Sequence, residues 1–136
     1  MKTIARHCPQ CKKYQIIEPF EGKDLLCPNC SYSWGIFESE ATIFERCPCC
    51  TCRQFYVTKD FNQALGCLIM AIGIVLVPWT YGLSLPVFAL IDWLIYKKIP
   101  VVTCCYRCGS EFRGFVTNKE FKPFMHHIGL KYDKYR

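Results

Sequence analysis

Several features of common protein classes are missing from this sequence. The N-terminal segment MKTIARHCPQC has no apolar stretch between its basic start and its first cysteine pair, so it predicts no secretory signal and a reducing, cytosolic environment. The sequence offers no nucleophile with a plausible base, no glycine-rich phosphate loop and only 3 histidines. We therefore expect a protein that is not an enzyme.

Cysteine, by contrast, is abundant. A chain of 136 residues is enough for one ordinary domain or two very small ones, and very small domains cannot bury enough surface to be stable by packing alone. The chain has 12 cysteines, most of them in C-x-x-C pairs, whose neighbouring thiolates can point into one tetrahedral site. In a reducing compartment this pattern favours bound metal over disulfides as the stabilising element.

The net charge gives little support to a nucleic-acid partner. The formal charge is +6 when every cysteine is counted as neutral. Eight thiolates with two Zn²⁺ ions would reduce it to about +2, because zinc binds the deprotonated thiol. The electrostatic attraction to DNA or RNA falls accordingly.

The first cysteine motif has the spacing of a zinc ribbon. Fifteen residues separate Cys8-Pro-Gln-Cys11 from Cys27-Pro-Asn-Cys30, with Gly22 at the expected turn between two short extended stretches. Four sulfurs about 2.3 Å from one ion satisfy the tetrahedral preference of zinc. The sequence therefore predicts a complete zinc ribbon over residues 1–40.

The second motif repeats this pair of C-x-x-C sequences, but a long insertion separates its two halves. It begins at Cys47-Pro-Cys-Cys50 and is completed at Cys105-Tyr-Arg-Cys108, so 54 residues lie where the first motif has 15. An aromatic residue follows the last cysteine by four positions in both motifs, which suggests an internal duplication. We predict a split ribbon over residues 41–118. Cys49 and Cys52 also form a C-x-x-C pair and are the alternative to Cys47 and Cys50 as ligands.

The insertion in the second motif is strongly hydrophobic. Residues 64–96 form a run of 33 residues with a single carboxylate, Asp92, and this exceeds the roughly 18 residues that mark a membrane segment. If one ion joins both halves of the motif, the two ends of the insertion lie on the same side of the bilayer. The chain must therefore enter the membrane and return.

The lengths of the two arms favour a shallow insertion. Pro78, Gly82 and Pro86 interrupt the run and leave arms of about 14 and 12 residues, or roughly 21 and 18 Å as helix. Both are shorter than the hydrocarbon thickness of about 30 Å. We expect a helical hairpin over about residues 61–99 in one leaflet. Two tilted spans and a buried soluble hairpin are the alternatives.

Residues beside the insertion predict its orientation. Lys97 and Lys98 follow the second arm, as the preference for positive charge on the cytosolic side would place them, and Trp93 and Tyr96 are candidate interface anchors. The basic, aromatic tail over residues 119–136 has apolar residues at helical spacing. It is expected either to lie along the membrane surface or to pack onto the ribbons.

The split motif resembles the LITAF-like domain. The resemblance rests on a C-P-x-C knuckle, a long hydrophobic insertion and a C-x-x-C-G knuckle, and it covers residues 47 to about 116. It implies a split zinc ribbon on the cytosolic membrane surface, anchored by a monotopic insertion. The zinc ligands that it implies are Cys47, Cys50, Cys105 and Cys108. Here a complete ribbon precedes the domain.

Together these features predict a small metal-stapled protein with two zinc-ribbon modules of short antiparallel strands and an inserted hydrophobic α-helical hairpin. Two structural Zn²⁺ ions are expected. We expect a membrane-anchored binding or scaffold protein, or a small accessory subunit of a membrane complex, with membrane lipid and a protein as partners. The alternative is a rubredoxin-like iron protein that carries electrons at the membrane, since ligand type alone does not separate iron from zinc.

Overall fold

The computed structural model describes residues 1–135, so Arg136, the last residue of the predicted tail, lies outside the described residues. Contacts divide the chain into two compact units. The ribbon unit consists of residues 1–58 together with 101–135, and the helical unit consists of residues 59–100. Each unit is described by itself below.

A five-stranded sheet contains strands from both cysteine motifs. Strand β1 pairs antiparallel with β2 and with β7, so that Ile4 lies opposite Ile17 on one side and Phe112 on the other. The order in the sheet is β2-β1-β7-β6-β5. The strands are β1 (Thr3–His7), β2 (Tyr14–Ile17), β5 (Phe55–Lys59), β6 (Val101–Cys105) and β7 (Glu111–Arg113).

A separate two-stranded sheet completes the first motif. Strands β3 (Lys23–Leu26) and β4 (Ser33–Phe37) pair antiparallel, and Gly22 precedes them with a φ of 74°, a left-handed conformation that glycine adopts without strain. The prediction of a small protein rich in short antiparallel strands is confirmed. The two motifs, however, share one sheet, because β1 of the first motif pairs with β7 of the second.

The core of the ribbon unit is aromatic. Phe112 is almost fully buried, and its ring meets those of Phe44, Phe55 and Phe115 at centroid distances of 6.0 to 6.2 Å. Edge-to-face contacts of this kind add stability beyond the area they bury. The cysteines of both motifs belong to the same cluster of buried residues, so the predicted ligands are part of the packed core.

The tail packs onto this core. Phe121 and Tyr132 contact the buried cluster, and Pro123 forms a parallel bridge with Val57 of β5. Helix α4 begins after this bridge, at His126, and runs to Tyr132; a 3-10 turn follows at residues 133–135. Of the two predicted arrangements for the tail, the structure has packing onto the ribbon unit.

The helical unit contains helices α1 (Gln63–Val75), α2 (Val77–Thr80) and α3 (Ser84–Lys98). The Asn62 side chain caps α1 by accepting a hydrogen bond of 3.0 Å from the amide of Ala64. Pro78 and Pro86 lie in the first turns of α2 and α3, where a missing amide proton costs least. Between these helices, Tyr81 and Gly82 have positive φ values of 50° and 87° and reverse the chain.

Helices α1 and α3 pack against each other through small residues. The buried positions of these helices are Gly66 and Gly73 in α1 and Ser84 in α3, and the Ser84 hydroxyl donates to the Gly73 carbonyl at 2.9 Å. At the other end of the unit the Asp60 amide donates to the Pro100 carbonyl at 3.4 Å, so the two chain ends lie side by side. Among residues 1–135, none of the helices is both long enough and apolar enough to cross a membrane.

Candidate metal centres

Four knuckles of identical backbone form present the predicted ligands. In each one, the amide of the first cysteine donates to the carbonyl five residues later, and its own carbonyl accepts from the amide four residues later, at 2.8 to 3.1 Å. The residue at that fourth position always has a positive φ, between 56° and 68°. The first cysteines of the four knuckles are Cys8, Cys27, Cys47 and Cys105.

The knuckles meet in pairs and form two groups of four cysteines. Within each group all four sulfurs lie within 4.8 Å of one another. The first centre consists of Cys8, Cys11, Cys27 and Cys30, and the second centre consists of Cys47, Cys50, Cys105 and Cys108. These are the eight cysteines that the spacing predicts as ligands.

The sulfur separations fit a bound metal ion. In the first centre Cys8 and Cys30 Sγ are 3.6 Å apart, and in the second centre Cys50 and Cys105 Sγ are 3.5 Å apart. A disulfide would require about 2.05 Å, and all 12 cysteines are free thiols. A tetrahedral ion with bonds of about 2.3 Å places its sulfurs about 3.8 Å apart. Both groups could therefore hold a metal ion with little movement.

The remaining four cysteines lie outside these tetrads. The second centre contains Cys47 and Cys50 rather than Cys49 and Cys52. The Cys52 sulfur instead accepts a hydrogen bond of 3.4 Å from the Gln54 amide. Cys49 is half-buried near Arg6, Cys104 is buried in β6, and Cys67 is exposed on α1.

Electrostatics in the first centre already favours thiolate at one ligand. Burial raises the pKa of the Cys8 thiol, but hydrogen bonds from the amides of Cys11 and Gln10 outweigh it and lower the pKa to about 6. At Cys30 the Tyr32 amide lowers the pKa, yet burial and hydrogen bonds to the other cysteines raise it to about 12. The sulfurs thus share protons unequally, and a divalent cation would displace the protons that remain.

In the second centre, too, some cysteines have a lowered pKa and others a raised one. A hydrogen bond from Cys105 lowers the pKa of Cys50 to about 7, and hydrogen bonds from Cys105 and Cys47 lower the pKa of Cys108. Cys47 has a raised pKa because its proton is held in hydrogen bonds to Cys105 and Cys108. Ser110, fully buried, also places its hydroxyl 2.9 Å from the Cys108 sulfur.

Three residues beside the sulfurs were not singled out from the sequence as parts of a site: Arg6, Trp34 and Ser110. The Trp34 indole nitrogen is buried without a hydrogen bond of normal geometry, yet it lies close enough to Cys8 to lower the pKa of that thiol. An orphaned donor aimed at a sulfur suits a thiolate ligand rather than a neutral thiol. The only sequence signal for it is the aromatic residue four positions after the last cysteine, which corresponds to Trp34 and Phe112.

The geometry also limits the chemistry. A metal ion held by four cysteines would have no open coordination position where water or a substrate could bind the metal. The orphaned indole, the amides aimed at Cys8 and the all-sulfur donor set fit a soft or borderline metal ion.

The predicted interface residues lie together on the last turns of α3. Trp93 and Tyr96 are exposed, the Lys97 ammonium lies 5.3 Å from the Trp93 ring, and Lys59 contacts the Tyr96 ring at 3.6 Å. Lys98 is the last residue of the helix. Asp92 lies further inside, with one carboxylate oxygen buried and without a hydrogen-bond partner among the described residues.

No family model, curated protein or solved structure matches this chain. The resemblance to the LITAF-like domain therefore stays a hypothesis that rests on its knuckles and its insertion.

Proposed function

We propose that this chain is a membrane-anchored zinc-ribbon protein on a cytosolic membrane surface, where its ribbon unit docks a protein partner. Two structural Zn²⁺ ions hold the ribbon unit, and helices α1 to α3 enter one leaflet as a shallow hairpin. The split arrangement with this anchor is the one that the LITAF-like domain would have. In this proposal the protein is a scaffold or a small accessory subunit and not an enzyme.

Zinc is the proposed metal because each centre offers only thiolates in a closed tetrahedron. Zinc has no redox chemistry and no geometric preference from its d electrons, and it is the usual ion of such structural sites. Cys8, Cys11, Cys27 and Cys30 would hold one ion, and Cys47, Cys50, Cys105 and Cys108 the other. Because the second set joins both sides of the insertion, its ion would fix the two ends of the anchor on one membrane face.

The observation that carries the membrane proposal is that the helical unit buries small residues and exposes large apolar ones. Its buried helical positions are glycine and serine, whereas most of its large apolar side chains are exposed and a few, such as Phe88 beside Gly73, are half-buried. Helices in lipid pack through small residues, since lipid removes the drive to bury large apolar ones. A helix that is hydrophobic all round needs an apolar surrounding. The exposed residues include Leu65, Leu68, Ile72, Ile74, Val75, Leu85, Val87, Leu90, Ile91 and Leu94.

The helix lengths support entry into one leaflet. At 1.5 Å per residue, the 13 residues of α1 extend about 20 Å and the 15 residues of α3 about 22 Å. A bilayer core is about 30 Å thick. A pair of helices joined at Tyr81 and Gly82 would thus place that turn inside the hydrocarbon or near its far boundary.

Basic and aromatic residues at the open end of the pair support its orientation. Lys59 donates to the Tyr96 carbonyl at 2.9 Å and lies over the Tyr96 ring, while Lys97 lies near Trp93. Lysine and aromatic side chains at one level are typical of the lipid headgroup region. The adjacent chain ends at Asp60 and Pro100 would lie at the same membrane face.

A matched pair of variants tests the anchor. Ile74→Asp places a charge on the exposed face of α1, and Ile36→Asp places one on the ribbon unit at similar exposure, 60 % and 57 % in the native protein. An aspartate at the centre of a membrane helix costs about 2.5–3.5 kcal/mol. In liposome flotation we expect at least about tenfold weaker binding for Ile74→Asp and no change for Ile36→Asp. Equal flotation of both variants would refute the membrane proposal.

An iron protein would have the same ligand geometry, and visible absorption distinguishes it from a zinc protein. Ferric tetrathiolate absorbs visible light, whereas zinc thiolate is colourless. Two colourless ions per chain, measured by elemental analysis and visible absorption of the detergent-purified protein, are expected. Iron with visible absorption would replace the scaffold proposal by an electron carrier.

A further inference from the structure

Arg6 is a buried cation in the ribbon unit. Only 9 % of the residue is exposed, its guanidinium lies 5.6 Å from the centre of the Trp34 ring, and its Nε donates to the His7 carbonyl at 3.3 Å. Arginine keeps its charge in proteins, and a buried charge is costly unless an opposite charge lies beside it. The residue therefore requires a source of negative charge nearby.

Cysteine sulfurs are the groups near Arg6 that can supply that charge. Arg6 lines a cavity of about 850 Å³ together with Cys8 of the first centre and Cys50 and Cys108 of the second. Among the described residues, no Asp or Glu side chain lines this cavity. The guanidinium and the sulfurs thus stabilise each other.

The first motif also holds the second one in place through its backbone. Gly35 of β4 has a φ of 135°, and a side chain at this position would collide with the Pro48 carbonyl oxygen, which belongs to a knuckle of the second centre. The ring of the preceding residue, Trp34, lies 5.6 Å from the Arg6 guanidinium and near Cys8. Strand β4 therefore connects the first centre to Arg6 and to the Cys47–Cys50 knuckle.

We infer that Arg6 is a counter-charge shared by the two metal centres, and that it makes the metal affinity of the second centre depend on occupation of the first. This inference rests on the proposed metal binding. A divalent ion with four thiolates carries a formal charge of −2, which a buried cation offsets. Occupation of the first centre orders β1 and β4 and so fixes Arg6 beside Cys108. Because coupling is reciprocal, the second ion strengthens binding of the first by the same factor.

A double-mutant cycle on the full chain in detergent tests the coupling. Zn²⁺ affinity of the second centre is measured by competition with a chromophoric chelator, with the first centre intact or disabled by Cys27→Ser and Cys30→Ser. Both measurements are repeated in the Arg6→Gln background. We expect disabling the first centre to weaken the second at least about tenfold, and Arg6→Gln to remove most of this dependence.

Further variants keep the test decisive if the disabled protein fails to fold. With all eight ligands present, Arg6→Gln is expected to weaken Zn²⁺ binding at the second centre at least about tenfold. Arg6→Lys should recover part of the loss, because lysine keeps the charge but lacks the planar guanidinium. Arg113→Gln is the matched control, since Arg113 lies on the adjacent strand β7 and pairs with Glu111 at 2.7 Å. It should leave the affinity unchanged.

Two results would overturn the inference while leaving metal binding intact. One is an Arg6→Gln protein with wild-type affinity at both centres. The other is a second centre whose affinity is the same whether the first is occupied or disabled. A wild-type chain that binds no Zn²⁺ would overturn both the inference and the proposed function.

Discussion

The ribbon unit and the helical unit distribute their apolar side chains in opposite ways. In the ribbon unit the large side chains lie inside, with Phe112, Ile4 and Leu25 almost fully buried. In the helical unit the inside positions are glycine and serine, and side chains such as Leu90 and Ile74 are exposed. The first arrangement suits water and the second suits an apolar solvent. The second arrangement is the one that the proposed membrane anchor requires.

The largest expected effect is the loss of one metal ion and of native structure in the ribbon unit. Cys105→Ser with Cys108→Ser removes two ligands of the second centre, and structural zinc contributes about 10–16 kcal/mol in small domains. We expect elemental analysis to show one zinc ion instead of two, with loss of the native near-UV signal of the ribbon unit. Cys67→Ser, at an exposed thiol of α1, should retain both ions. Two ions in the double variant would contradict the split centre.

The next effect compares a buried leucine of the ribbon unit with an exposed leucine of the helical unit. Leu25 is 2 % exposed in β3 and Leu90 is 55 % exposed in α3. Leu25→Ala is expected to lower the free energy of unfolding of the ribbon unit by about 2–5 kcal/mol, because it leaves a cavity in a packed core. Leu90→Ala should leave chemical denaturation of the ribbon unit unchanged and weaken liposome binding instead. Equal destabilisation by both variants would remove the contrast between the units.

A smaller effect tests how α1 packs against Phe61, which precedes it, and against Phe88 of α3. An added methyl group at Gly66 would lie 2.9 Å from the Phe61 ring, whereas one at Gly73 would lie 3.3 Å from the Phe88 side chain. Overpacking usually costs about 1–3 kcal/mol. Gly66→Ala should therefore lower the thermal stability of the helices more than Gly73→Ala, measured by circular dichroism in detergent. The reverse order would show that this interface is packed differently.

The smallest effect concerns the charges at the open end of the helical unit. Lys97→Gln and Lys98→Gln each remove about 1 kcal/mol of attraction to an anionic membrane surface. We expect weaker flotation with vesicles that contain phosphatidylserine, and a difference that disappears at high salt because exposed charges are screened. Neutral vesicles provide the control. A loss of equal size on neutral vesicles would assign these lysines to the fold rather than to the surface.

Much of the site is readable from the chain alone. The positions of the eight clustered cysteines follow from knuckle spacing, since only a few residues can bring two sulfurs to one ion. Cys47 and Cys49 both begin a C-x-x-C pair, however, and the choice between them depends on which knuckle forms its hydrogen bonds with the chain around it. Arg6 gives no signal in the sequence, because an arginine on a short strand is usually solvated.

The knuckles, the turn at Gly22, the chain reversal near Gly82 and the continuous apolar composition of the insertion can be read from the chain, because they depend on neighbouring residues and local spacing. Long-range packing, in contrast, pairs β1 of the first motif with β7 of the second, brings the Arg6 guanidinium near the Trp34 ring, and buries glycine and serine in the helical unit. These features join residues far apart in the chain. Their energies depend on distance and burial in space, which spacing along the sequence does not specify.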